Sequence, residues 1–566
     1  QALKLDPANR EAHRVLGTVF AGAATSDARQ SRQSRQANLA KAIEHLERAV
    51  VDRGGVQADP NLRGMLARLH ILNGAFDKAI PLLAELVRQE PGWQEGANLL
   101  VSAYVDSGRA RDAVAWLEEA AVDNPQLYTN LADLYSREQR WADAAKAYEQ
   151  ALQVSTRSYD LRIRYASMLL NVGGAENAIK ARGAIRDALA IRGNAQPDDR
   201  ALFLLSNAER QTNDLDAAES TARRLITQSA RNPRGYFALA EALEARQRYA
   251  DVVEALAPAV AQFRSGANPA FALGMLLPHL GFAYHRVGDY EKAIAVFEEA
   301  QSLAPEDASI AGFLIQSTLS AKRYPQAIEL ARSARAKHPD QIRFARLESQ
   351  ALRDSGKVDQ GLAILEELVK TKGSDPEVHF ALAQAYVDVN RGSQAVRVLQ
   401  DAQAKFPSSP LPAFELGAVL ERQRKYTDAE AAFREALQRD PSHAPTLNYL
   451  GYMLAERGER LGESVTYIKK ALEIEPDNGS YLDSLGWAYF KDGKLDLAED
   501  ALKRAADQLI TNAVVQDHYG DVLFRLGRFQ EAIDAWTRAL AGDTQDLDKA
   551  AVDRKIRTAR QKISAK

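Results

Sequence analysis

The stretch SLGWAYFKDGK at 484–494 sets a pattern of apolar, small and polar positions that returns along the chain. With Gly486 as reference, Leu485 precedes it, Tyr489 lies three on, Gly493 seven on and Ala498 twelve on. Around Gly281 the same places hold Leu280, Tyr284, Gly288 and Ala293, followed by Phe297, Ala300 and Pro305. Around Gly417 they hold Leu416, Leu420, Ala429, Phe433, Ala436 and Pro441. Glycines 417, 451, 486 and 520 stand 34, 35 and 34 residues apart, and Pro91/Pro125, Pro305/Pro339 and Pro407/Pro441 are each 34 apart. A fixed period of this length is the mark of a repeat array. Small residues at the reference and twelve on predict two helices in close approach, and Gly493 between them predicts a helix end that needs positive φ. A phosphate-binding loop is excluded there, because Gly493-Lys494 is followed by Leu495 rather than Ser or Thr.

This Leu-Gly…Tyr…Gly…Ala…Phe…Ala…Pro pattern resembles the tetratricopeptide repeat (TPR). The resemblance implies an all-α, right-handed α-solenoid of about fifteen helix-turn-helix units, whose concave face is lined mainly by first helices. The small position twelve on is filled at Ala42, Ala79, Ala113, Ala144, Ala181, Ala218, Val252, Ala293, Ala327, Gly361, Ala395, Ala429, Ser464, Ala498 and Ala532. Residues 1–7 read as the tail of a second helix, so that at least a half-repeat is expected upstream. Residues 8–265 form a degenerate array, with a polar insertion at 21–40 expected as an exposed loop or helix extension. Extra positions at 264–273 break the phase and suggest a hinge, 266–545 form a regular array, and 546–566 form a polar capping helix.

Composition agrees with helices. At 566 residues the chain exceeds one hydrophobic core. Its apolar share is 46% with only 7% aromatic, so Ala and Leu dominate. A net charge of -3 gives no field to hold nucleic acid, and the absence of Cys removes thiol, Cys-zinc and disulfide chemistry. Residues 265–284 carry no formal charge, the length of a membrane span, but Asn268, Pro269, Pro278 and His279 fit a linker entering a buried helix better.

Nor does the chain show catalytic spacing. None of the nine His pairs as HExxH, and there is no GxSxG or strand-linked GxGxxG. Asp517 and Asp521 lie one helical turn apart without a neighbouring nucleophile. We therefore expect a non-enzyme with no metal and no cofactor.

Chemistry concentrates instead on the face left free by helix pairing. The positions three and two before, one after and four or five after the reference are expected to line the groove. In the last three repeats these are Asn448, Tyr449, Tyr452 and Glu456; Asp483, Ser484, Trp487, Phe490 and Lys491; and Asp517, His518, Asp521, Phe524 and Arg525. Aromatics alternating with placed polar groups are what recognition surfaces use; burial of Trp487 and Phe490 against the next repeat is the competing reading. A secondary partner-binding candidate is Arg343, Arg346, Gln350 and Arg353, a helical stripe able to hold carboxylates. Glu348, where Leu is expected, leaves its orientation open, and structural ion pairs are the alternative use.

The words LNYLGY, LDSLGWAY and DHYGD in consecutive units resemble the C-terminal repeats of bacterial exported TPR proteins, many of them outer-membrane lipoproteins. One branch comprises adaptors of a carboxyl-terminal processing protease. The resemblance implies a periplasmic scaffold, tethered to the outer membrane through a lipid anchor upstream of Gln1, whose partners are proteins such as an envelope protease or another envelope complex. The alternatives are the repeat region of a larger glycosyltransferase or polysaccharide-export protein, and a cytoplasmic co-chaperone. The last would use a Lys/Asn clamp that the Arg343 stripe lacks.

Overall fold

Thirty-two α-helices and one short 3-10 turn make up the computed structural model, which describes residues 2–26, 31–51, 59–90, 92–193, 195–542 and 547–564. Between a short first helix, Ala2–Leu5, and a last helix, Lys549–Ser564, the helices fall into fifteen pairs. Most first helices have 13 residues and most second helices 14, as in Gly479–Lys491 and Leu495–Gln508.

The register of every pair follows from the small position. All fourteen side-chain-bearing residues there, from Ala42 to Ala532, are fully buried, and Gly361 is buried with them. Gly486 shows why size is limited. A Cβ on it would stand 2.5 Å from Leu502 Cγ and 3.2 Å from the Ala498 carbonyl, so only hydrogen fits between the helices. In most pairs, five residues before the small position, the chain turns with positive φ. Gly493 supplies it at +76°, whereas Gln139, Asn213, Gln247, Lys322, Asn390 and Arg424 adopt φ of 57–59° without glycine. Such residues give up roughly 1 kcal/mol each, which helix pairing must offset.

The chain divides into two compact units, residues 1–304 and 305–566, one helix pair beyond the phase break expected at 264–273. That break lies inside the first unit, between Tyr249–Arg264 and Pro269–Arg286. The extra residues lengthen both helices, and Asn268 caps the second with Pro269 in its first turn. The polar stretch 21–40 likewise extends helices Arg10–Ser26 and Arg32–Ala49, with 27–30 outside the described residues. Among the described residues no helix is long and apolar enough to cross a membrane.

The second unit holds seven pairs, beginning with Ala308–Ser320 and Tyr324–Lys337, and ends with Lys549–Ser564. Val552, Ile556 and Ala559, spaced at i, i+4 and i+7, bury one stripe of this last helix in the apolar cluster that contains Trp536. Its other faces carry Lys, Arg and Gln, with Ile563 exposed among them.

Candidate functional site

In the second unit successive first helices lie side by side. The expected groove residues therefore meet across repeats. On Ala444–Glu456, Tyr449 is 46% exposed; its ring stands edge-on to Phe414 at 5.2 Å and tilted to Phe433 at 6.2 Å. Beside it Asn448 is buried, and its Oδ1 has no hydrogen-bond partner among the described residues. Burial raises the pKa of the half-buried Tyr452 hydroxyl well above its ordinary value, reinforced by Glu456, Asp483 and Glu421.

Gly479–Lys491 and Ala513–Arg525 continue the face, but their side chains engage one another. Trp487, only 8% exposed, stacks at 4.0 Å on His518 and at 5.0 Å on Phe490. Its Nε1–H donates to Glu456 at 2.6 Å, and Lys491 sits 4.9 Å from its ring and 3.6 Å from the same carboxylate. Thus Trp487 is largely buried in the repeat interface, while Phe490 keeps part of its surface under the Arg525 guanidinium at 5.5 Å. Phe524 is half-buried between Phe529 and Trp536.

His518 Nδ1 donates to Asp483 at 2.9 Å, both side chains being buried. Burial alone would push the imidazole pKa down; the Asp483 carboxylate, with Asp517 and Asp521 behind it, overcomes this and raises it. A group whose folded pKa is raised stabilises the fold fully below its unfolded pKa, and the effect fades as pH climbs through the folded value. We expect the urea midpoint of the protein to fall as pH rises from 6.5, His518's ordinary value. In His518→Gln that slope should flatten; an unchanged slope would mean that another group titrates.

Asp517 and Asp521, considered above for acid–base work, instead share Lys555 of the last helix, whose Nζ lies 2.8 Å from Asp517 and 2.7 Å from Asp521. Burial raises the Asp521 pKa, with Lys555 opposing and Asp517 adding to the shift. Among the described residues no group of His, Asp and Glu could hold a metal ion.

The structure splits the arginine stripe. Arg353 turns to Asp388 at 2.9 Å and to the Ala385 carbonyl, a structural pairing. Glu348, 2% exposed, faces the second helix of the preceding pair, where Arg332 and Arg335 hold it at 3.3 and 2.7 Å. That burial aims Arg343, Arg346 and Gln350 outward, into a cleft of about 420 Å3 between Ala308–Ser320 and Ile342–Asp354.

Sequence reasoning missed Phe414 and Gln316, though both obey its own rule: Phe414 stands three before Gly417, and Gln316 one after the reference place of its repeat, which Ile315 occupies. It also missed Lys555 as the counter-ion of the aspartates, because no spacing rule joins a terminal helix to a groove position.

Residues 346–410, 380–444 and 414–479, 35–103 and 285–351, and 127–159 match the tetratricopeptide repeat, together more than half of the chain. The chain belongs to the tetratricopeptide-repeat family, whose fold is a protein-interaction scaffold. It is similar to a TPR repeat-containing protein of Pseudomonas aeruginosa, 28% identical over 187 residues that cover 32% of this chain and 30% of the relative. It also resembles a cytochrome c-type biogenesis protein of Rhizobium meliloti, 31% identical over 18% of this chain and 27% of the relative. The chain thus spans less than a third of the length of these curated relatives. Among solved structures, yeast Tom70 superposes with a TM-score of 0.40 at 14% identity, covering 79% of this chain and 97% of that one. A chain of the Cut9-Hcn1 hetero-tetramer gives 0.34 at 13%, covering 89% and 96%.

Proposed function

We propose that this protein is a non-catalytic adaptor of the bacterial cell envelope that holds partner polypeptides along the first-helix face of its second unit. The observation that carries the reading is the exposed Tyr449 ring, braced by Phe414 and Phe433. A rigid, exposed aromatic anchor suits an apolar side chain of a partner. The envelope setting rests on the likeness of LNYLGY, LDSLGWAY and DHYGD to exported TPR proteins; an envelope protease is the partner that likeness favours, with outer-membrane tethering through an upstream lipid anchor. The Arg343 cleft belongs to the same face.

Photo-crosslinking in cells tests this. A benzophenone amino acid at 449 should give adducts to a discrete set of envelope polypeptides, whereas the same probe at the exposed Lys470 of a second helix should not. Equal labelling at both positions, or adducts to cytosolic proteins only, contradicts the proposal.

A further inference from the structure

Charge on the first-helix face of the second unit is treated in two ways. Toward its C-terminal end the acids are answered internally: Asp483 by His518, Asp517 and Asp521 by Lys555, and Glu456 by Trp487 and Lys491. The cleft between Ala308–Ser320 and Ile342–Asp354 is the reverse. Arg343 and Arg346 are exposed there, no carboxylate lines the cleft, and neither guanidinium makes an ion pair among the described residues. Acids of the neighbouring sequence are committed elsewhere. Glu348 is held by Arg332 and Arg335 on the opposite side, Asp388 holds Arg353, and Asp340 takes Lys372.

Arg343 is also held in place. Its guanidinium lies 4.8 Å from the Phe344 ring centre and 3.7 Å from where a side chain on Gly312 would begin. A stacked, pre-positioned guanidinium loses less freedom on binding than a free one. The rest of the lining sorts by chemistry: Gln316 and Gln350 bring amides that both donate and accept, and Phe313 and Leu347 bring apolar surface.

We propose that this cleft receives an extended acidic segment of a partner polypeptide. One carboxylate lies across Arg343 and Arg346, main-chain amides of the segment meet Gln316 and Gln350, and an apolar side chain rests on Phe313 and Leu347. The planar fork of Arg matches a carboxylate with two parallel hydrogen bonds. Paired amides suit a peptide backbone and have no counterpart in a simple anion. Two cations in a chain of net charge -3 do not make a polyanion track. The inference rests on the reading of this face as polypeptide-binding and adds the chemical class of the segment.

The test uses the whole chain and two fluorescent decapeptides: one alternating Glu and Leu, the other its Gln and Leu counterpart. Fluorescence anisotropy should show the acidic peptide binding at least about tenfold more tightly, since a charge-assisted pair contributes roughly that factor. In Arg343→Gln/Arg346→Gln, which keeps good helix formers at both exposed sites, the acidic peptide should weaken about tenfold and the two peptides should become equivalent. Circular dichroism checks that the variant keeps its helices. Equal binding of the two peptides to the wild type, no binding of either, or unchanged binding by the variant overturns the proposal. Displacement of the acidic peptide by inorganic phosphate at a concentration equal to the peptide's own Kd would show a general anion site and also overturn it. Crosslinks at 449 that persist when the peptide test fails leave the scaffold reading intact; loss of both removes it.

Discussion

Replacing Trp536 by alanine is expected to cost about 3–5 kcal/mol, the range for emptying a large aromatic site in a packed core. Trp536 is 1% exposed, fills the space left by the missing side chain of Gly520, and donates its Nε1–H to Asp521 at 3.2 Å. It also packs in the cluster with Val552, Ile556 and Ala559, so the last helix loses its floor. Repeat arrays are stabilised mainly by nearest-neighbour contacts, and the damage should therefore stay local. Urea unfolding followed by hydrogen exchange would read both quantities: amides of 513–541 and 549–564 should lose protection while those of 60–89 in the first unit keep theirs. A change below about 1 kcal/mol would show that the Trp536 site collapses without loss, and uniform deprotection would show that the array unfolds as one cooperative body.

Lys555→Met is expected to have the next largest effect, about 2–4 kcal/mol at pH 7, because removing one partner of a half-buried ion network leaves the others uncompensated. Two carboxylates, Asp517 and Asp521, would then face each other with no cation, and the folded pKa of Asp521, already raised by burial, would rise further. The sign of the pH response follows. An acid with a raised folded pKa costs stability at high pH, and that cost disappears as pH falls through the raised value toward the ordinary 3.8. The gap between Lys555→Met and wild type should thus narrow on acidification. Adding Asp517→Asn and Asp521→Asn should recover most of the loss at pH 7, since amides carry no charge to leave unpaired. Equal urea midpoints for the single variant and wild type across this range would show that apolar packing alone seats the last helix.

The groove was legible to the extent that repeat phase decides which way a residue points. Tyr449, Asn448 and Trp487 all lie on the face that the spacing from Gly451 and Gly486 assigns to them. What spacing does not carry is the neighbour across the repeat boundary. Trp487 is on the expected face, yet His518 stacks on it and Glu456 takes its N–H, so most of its surface is gone. Arg343 and Arg353 share one stripe in the sequence. Asp388 of the following repeat claims the second, and among the described residues no acid pairs with the first.

By itself the sequence determined the helix pairs, their number and their register. Those depend on close approach at positions such as Gly486 and Ala498 and on positive φ at Gly493, constraints that act within one repeat and therefore recur with its period. The tertiary structure alone decided which charges remain available. Burying Glu348 against Arg332 and Arg335 turned the arginine cleft outward, and docking Lys555 on Asp517 and Asp521 closed the acidic end. Both outcomes depend on which partner comes within about 4 Å, the reach of an ion pair. That distance is set by the packing of one repeat on the next.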